Sequence, residues 1–194
     1  MNPIRPVSKA CAFAALTACA VAMPAHAASE LSLVPESTTV QVGTPFSVDV
    51  VATLDAADDL AAYFADIVYD PETLRFESVT LSDAIGVIGV DAVDVSLPPE
   101  IFGGVGLVNA SAESFLTDFS GQADELVLAS VMFTAITLGD TTVDFGEFPA
   151  LDDPSFSPLT FDTSAATVSA VPVPAAVWLM GSALAAVAGL RRRA

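Results

Sequence analysis

From Phe46 to Leu54 apolar and polar positions alternate. Phe46, Val48, Val50, Ala52 and Leu54 fall on one side of an extended chain, and Ser47, Asp49 and Thr53 on the other. Side chains of a strand project to opposite faces in turn, so this period of two predicts a half-buried β-strand. Ala61–Tyr69, Leu74–Leu81, Gly106–Ala112, Leu126–Ile136 and Thr141–Phe148 read as further strands. Leu126–Ile136 is apolar on both faces, which predicts a central place. Turn signals part these segments at Val42-Gly43-Thr44-Pro45, Asp70-Pro71-Glu72 and Leu138-Gly139-Asp140, where Gly and Asp-Pro favour tight reversals. Short strands at this spacing, with no long helical period between them, predict an all-β antiparallel sandwich. Residues 28–170 form one domain, long enough to bury a substantial core.

The two ends follow a different pattern. Arg5 and Lys9 precede an uncharged, largely apolar run from Ala10 to Met23, then Pro24 and Ala25-His26-Ala27. A basic start, an apolar stretch and a small-x-small ending predict a signal peptide over 1–27, cut by signal peptidase between Ala27 and Ala28. A second pattern overlaps it: Leu16-Thr17-Ala18-Cys19 fits a lipoprotein site with Cys19 acylated. At the other end, Ala175–Leu190 is free of charge and is followed at once by Arg191-Arg192-Arg193. As a helix rising about 1.5 Å per residue it reaches about 24 Å, slightly less than a bilayer core. Trp178 suits a membrane interface, and the arginines suit the cytoplasmic side. Pro172-Val173-Pro174 makes a stiff, non-helical lead-in.

The run VPVPAAVWLMGSALAAVAGLRRRA resembles the PEP-CTERM sorting signal in its VPxPAA-type variant. Pro172 and Pro174 match the paired prolines, and Ala175 and Ala176 the small pair. Trp178, Gly181 and Ser182 match the helix signature, and Arg191 to Arg193 the basic stop. Val173 stands where the name-giving form has Glu. The resemblance covers residues 171–194. It implies recognition by an exosortase-type membrane enzyme, anchoring through helix 175–190, and delivery to the surface or extracellular matrix of a Gram-negative bacterium.

Composition narrows the chemistry of what lies between. Both cysteines, Cys11 and Cys19, and the one histidine, His26, fall inside the signal segment. A chain cut after Ala27 therefore has no disulfide, no Cys/His metal site and no His- or Cys-based nucleophile pair. All 24 acidic residues lie in the central domain, against a single basic one, Arg75. Such a field repels nucleic acid and anionic lipid head groups.

The order of segments also resembles the cohesin domain, a β-sandwich of jelly-roll type related in fold to some carbohydrate-binding modules. The match starts at Val40-Gln41-Val42-Gly43 and is most specific at Ala65–Phe76, where a strand ends in Tyr69-Asp70-Pro71 before an apolar strand. It resumes at Leu128–Ala135 and Thr142–Phe145. The resemblance implies a sheet face able to dock a protein, as cohesins dock dockerins.

Candidate ligand groups are few. Tyr63 and Tyr69 share a strand face with Ala65 and Ile67, which predicts a core position. Phe102, Phe115 and Phe119 lie in Gly- and Ser-containing stretches that read as loops and are the candidate ligand contacts. Gly103-Gly104 reads as a flexible loop, with no strand-to-helix context for a phosphate cradle. No cofactor is expected. Asp55/Asp58/Asp59, Asp91/Asp94 and Asp152/Asp153 are weak Ca²⁺ candidates without EF-hand spacing.

The expected function is that of a non-enzymatic adhesion module of the cell surface or biofilm matrix, binding polysaccharide or another protein. Two other readings stand beside it. One is a coat module ordered by Ca²⁺. The other is a carboxylate-only glycoside hydrolase, which requires two carboxylates roughly 5–10 Å apart, and no pair is marked as such.

Overall fold

The computed structural model describes residues 29–173. The expected signal segment, the cleavage residues Ala25, Ala27 and Ala28, and the tail from Pro174 through Arg193 lie outside the described residues.

No helix occurs among the described residues. Thirteen strands are present there: β1 (Ser29–Pro35), β2 (Thr39–Gln41), β3 (Pro45–Thr53), β4 (Ala62–Tyr69), β5 (Leu74–Leu81), β6 (Ala92–Asp94), β7 (Glu100–Phe102), β8 (Val105–Ser114), β9 (Glu125–Ala135), β10 (Gly139–Phe145), β11 (Ala150–Asp152), β12 (Phe161–Ser164) and β13 (Ala166–Val171). They form two packed sheets. The smaller has the order β12-β1-β3-β9-β5. The larger has the order β2-β13-β10-β4-β8-β6, with β11 beside β10 on β4 and β7 beside β6 on β8. All six strands expected from the pattern are present, and the expected turns hold. Thr73 and Leu74 N–H donate to the Asp70 carbonyl at 3.1 and 2.9 Å, and Gly43 takes φ 84°.

The sandwich is not antiparallel throughout. β1 pairs with β12, and β2 with β13, in parallel. Parallel neighbours cannot be joined by a tight turn, and here the chain between each pair runs through most of the domain.

The alternation read at Phe46–Leu54 is the core face: Phe46, Val48, Val50, Ala52 and Leu54 are all buried. So are Tyr63, Ala65, Ile67 and Tyr69 on β4, the core position that their shared strand face predicts. β9 is interior to its sheet as expected. A register shift, where Val50 faces Ala129 and Val51 faces Val127, leaves Leu128 and Ala129 both fully buried. Phe133 sits among Tyr69, Phe46 and Phe76, with ring centroids 5.1, 6.2 and 6.3 Å away. Tilted and edge-on rings at these distances gain more than their buried area alone provides. The Tyr63 hydroxyl crosses between the sheets and donates to the Leu128 carbonyl at 2.8 Å. Burial pushes its pKa well above the ordinary phenol value near 10.

Candidate functional site

Two irregularities in the larger sheet shape its outer face. The first lies along β4. Phe145 on β10 pairs with Ile67, and Ala150 on β11 pairs with Phe64. Four residues, 146–149, thus oppose only Ala65 and Asp66, so the segment bulges out of the sheet. Gly146 is pinned at the start of the bulge, its N–H donating to the Asp66 carbonyl at 2.7 Å. A Cβ at Gly146 would come within 3.0 Å of the Asp66 Cβ, so the chain approaches β4 most closely where it has no side chain. The bulge re-aims Phe148 into solvent, 76% exposed; redirecting a side chain is a recurrent use of such features. The expected strand Thr141–Phe148 is therefore shorter than its pattern suggested.

The second irregularity is the hairpin of β7 and β8. Phe102 pairs with Val105, and only Gly103 and Gly104 lie between them, with φ 61° and 86°. Two positive φ values are what a two-residue hairpin turn consistent with strand twist requires, and glycine meets that need without a Cβ penalty. The segment expected to be a flexible loop is a tight turn, and Phe102 stands on a strand beside it, 81% exposed.

Phe102 and Phe148 flank a groove of about 650 Å³. Val68 from β4 and Val105 and Leu107 from β8 supply its apolar floor, and Asp66 and Glu147 its carboxylates. A second depression of about 370 Å³ continues across the face along Val68, Val105, Asp70, Thr142 and Asp144. Beneath one flank, Asn109 ties three segments together. Its Nδ2 donates to Asp66 Oδ1 at 2.7 Å, and its Oδ1 accepts from the Leu97 N–H at 3.0 Å and the Ser111 hydroxyl at 2.9 Å. Ser96 and Ser111 add a reciprocal pair, so the link between β6 and β7 is fastened to β8. The groove's wall is thereby fixed to its floor.

The other expected aromatic contacts are elsewhere. Phe119 lines a separate pocket of about 350 Å³ between segments 83–91 and 116–122, and Phe115 lies beside it, 64% exposed, with its N–H donating to the Asp91 carbonyl. The structure does not bring Phe115 or Phe119 to Phe102. In their place stands Phe148, whose sequence pattern predicts a strand position but which lies beyond the end of β10.

Most of the acidic candidates are engaged in hydrogen bonds. In the link between β3 and β4, Asp58 accepts from the Ser29 hydroxyl at 3.0 Å, and the Asp55 N–H donates to the same Ser29 oxygen. Asp59, the third member of that group, is exposed in the same link, just before the buried Leu60. Asp91 accepts from the Val87 N–H, and Asp94 from the Ser96 N–H at 2.8 Å. Asp153 accepts from the Ser155 and Ser157 N–H groups at 2.7 and 2.9 Å, and Asp152 belongs to β11. Among the described residues no three His, Cys, Asp or Glu side chains converge as a metal ion would need. Ca²⁺ at Asp55, Asp58 and Asp59, or at Asp152 and Asp153, would need oxygens beyond these side chains, such as backbone carbonyls. The bonded carboxylates among them are turned onto N–H groups of their own loops or, for Asp58, onto the Ser29 hydroxyl of β1. On the outer face of the smaller sheet, Glu77 accepts from Arg75 and Thr134, and these bonds hold its carboxyl below the usual range. Arg75 also lines a depression of about 420 Å³ with Pro71, Glu100, Ile101 and Ile136, apart from the groove at Phe102 and Phe148.

No protein-family model matches this chain, and neither does any curated protein sequence. Solved structures do. A cohesin module from a Clostridium perfringens family 33 glycoside hydrolase superposes with TM-score 0.57 at 13% identity, over 75% of this chain and 97% of the module. The sixth cohesin of Acetivibrio cellulolyticus scaffoldin B, solved in complex with the Cel5 dockerin, gives 0.55 at 15% identity, over 75% and 100%. A non-cellulosomal cohesin from the archaeon Archaeoglobus fulgidus gives 0.52 at 18% identity, over 75% and 92%. The fold is that of a cohesin module. The cohesin-like sandwich read from the Tyr69-Asp70-Pro71 stretch and the strands around it is thus present.

Proposed function

We propose that this chain is an exported, non-enzymatic binding module whose larger sheet docks a protein partner across its outer face. The observation that carries this is the groove between Phe102 and Phe148. Two large aromatic rings stand in water on either side of an apolar floor, held there by a bulge and a hairpin turn. Exposed rings around a contiguous apolar patch are the usual mark of an interaction surface. That cohesins of the same fold were solved with dockerins bound supports a protein as the ligand. Export, recognition by signal peptidase and an exosortase, and anchoring through residues 175–190 belong to the same proposal, and the patterns of the two chain ends support them.

The test compares the full chain with the double variant Phe102→Ser/Phe148→Ser, each immobilised and challenged with envelope extract and with purified exopolysaccharide of the producing cell. The expected result is a protein retained by the native chain and lost by the variant, with melting temperature unchanged because both rings are exposed. Retention of polysaccharide alone, or release of reducing sugar, overturns it.

A further inference from the structure

We infer that the segment docking in this groove is cationic: apolar side chains that seat between Phe102 and Phe148, flanked by lysine or arginine. This rests on the docking reading above and adds the chemistry of the occupant. Asp66 and Glu147 line the groove itself, and Asp70 and Asp144 line its continuation across the sheet. No basic residue lines either depression. Arg75, the one basic side chain among the described residues, is on β5 of the other sheet and is paired with Glu77 at 2.8 Å. A partner that covers this face thus removes carboxylates from water with no countercharge supplied by the module. Burying a carboxylate without an opposite charge is costly, so an occupant without cationic groups loses what its apolar contacts gain. A second copy of the chain meets the same objection, since it brings another acidic surface to an acidic groove. The aromatic pair provides the second half of the recognition: rings over which alkyl stems of lysine or arginine pack, with cation–π attraction to a guanidinium or ammonium.

The test uses the full chain in zwitterionic detergent and three fluorescent synthetic peptides of one length. All carry the same Leu-Phe anchor, flanked by lysines, by serines or by glutamates. The lysine peptide is expected to bind saturably at one site, with the serine peptide at least about tenfold weaker and the glutamate peptide not bound. Raising salt from low to about 0.5 M should weaken the lysine peptide by about tenfold, as screened charges require. Phe148→Ser or Phe102→Ser should weaken it about tenfold or more, as for an interface anchor. Glu147→Gln should flatten its salt dependence. Equal binding of the serine or glutamate peptide, lost in the phenylalanine variants, overturns the cationic inference and leaves the docking reading standing. Lysine-peptide binding indifferent to both phenylalanines shows only attraction to an acidic protein and overturns both. No binding by any of the three peptides overturns the inference as well.

Discussion

Tyr63 does two things with one oxygen. Its ring fills the core, and its hydroxyl satisfies the Leu128 carbonyl on the facing sheet. Replacing it by Phe keeps the ring and removes this one bond, while the Leu128 carbonyl retains the Ser82 N–H at 2.9 Å, so the cost is about 0.5–1.5 kcal/mol. The same burial makes stability depend on alkali. In the folded chain Tyr63 keeps its proton at a pH where the unfolded chain, with an ordinary phenol, has released it. The raised pKa therefore contributes stability that is complete below about pH 10 and declines as pH rises past that value. Urea midpoints measured from pH 8 to 11 should fall above about pH 10, and less steeply in Tyr63→Phe; equal slopes would show that another group is responsible. Gly106 tests packing on the neighbouring strand. It pairs with Tyr69, and a Cβ there would overlap the Tyr69 ring. Gly106→Ala should destabilise the domain by about 1–3 kcal/mol, the usual cost of overpacking, read from the same midpoints. Gly43, which has open space around its Cβ position, offers no such clash, and an alanine there meets only the strain of its φ of 84°.

Elements with a clean period were legible, and those whose position depends on a distant partner were not. The alternation at Phe46–Leu54 and at Tyr63–Tyr69 names the buried faces because water is on one side of each strand. β6, β7 and β11 have three residues each, too few for any period to show. They exist because β4 and β8 offer them unpaired edges. The groove was half legible for the same reason. Phe102 beside Gly103-Gly104 stood out, whereas Phe148 reads as the end of a strand and is displaced by a bulge whose cause, the pinning of Gly146 on Asp66, is remote in sequence. The segment carrying Phe115 and Phe119 shows the same dependence. Among its ties is Gln122, whose side chain accepts from the Leu60 N–H at 2.7 Å and donates to the Leu60 carbonyl at 2.9 Å. Leu60 is fully buried, so both of its backbone groups rely on this amide. Gln122→Ala should cost about 2 kcal/mol or more. Amide exchange should quicken in segment 115–124 before it does in β4 or β8, and uniform quickening would mean that the clamp belongs to the global fold.

At the scale of the whole molecule, charge sets the conditions under which this fold is stable. The sandwich has no disulfide to help it, because both cysteines precede residue 29, and one arginine accompanies 24 carboxylates. Its cohesion comes from the aromatic cluster around Phe133 and the strand faces that pack on it, while its surface repels itself. Neighbouring like charges on a protein surface cost a few tenths of a kcal/mol each, and several such neighbours together amount to about 1–2 kcal/mol. Mobile ions shorten the range of that repulsion to about 10 Å at 0.1 M and about 3 Å at 1 M. The domain should therefore gain stability as salt is added, with a melting temperature higher by about 3 °C or more between 0.01 and 0.5 M sodium chloride. Sodium chloride is the informative salt, since sulfate strengthens apolar burial by a separate route and would blur the comparison. The same addition should weaken a cationic partner in the groove, so stability and binding are expected to move in opposite directions with ionic strength. A melting temperature that is flat or falls over this range would mean that the carboxylates are already balanced by bound cations, and would reopen the case for a Ca²⁺-ordered module.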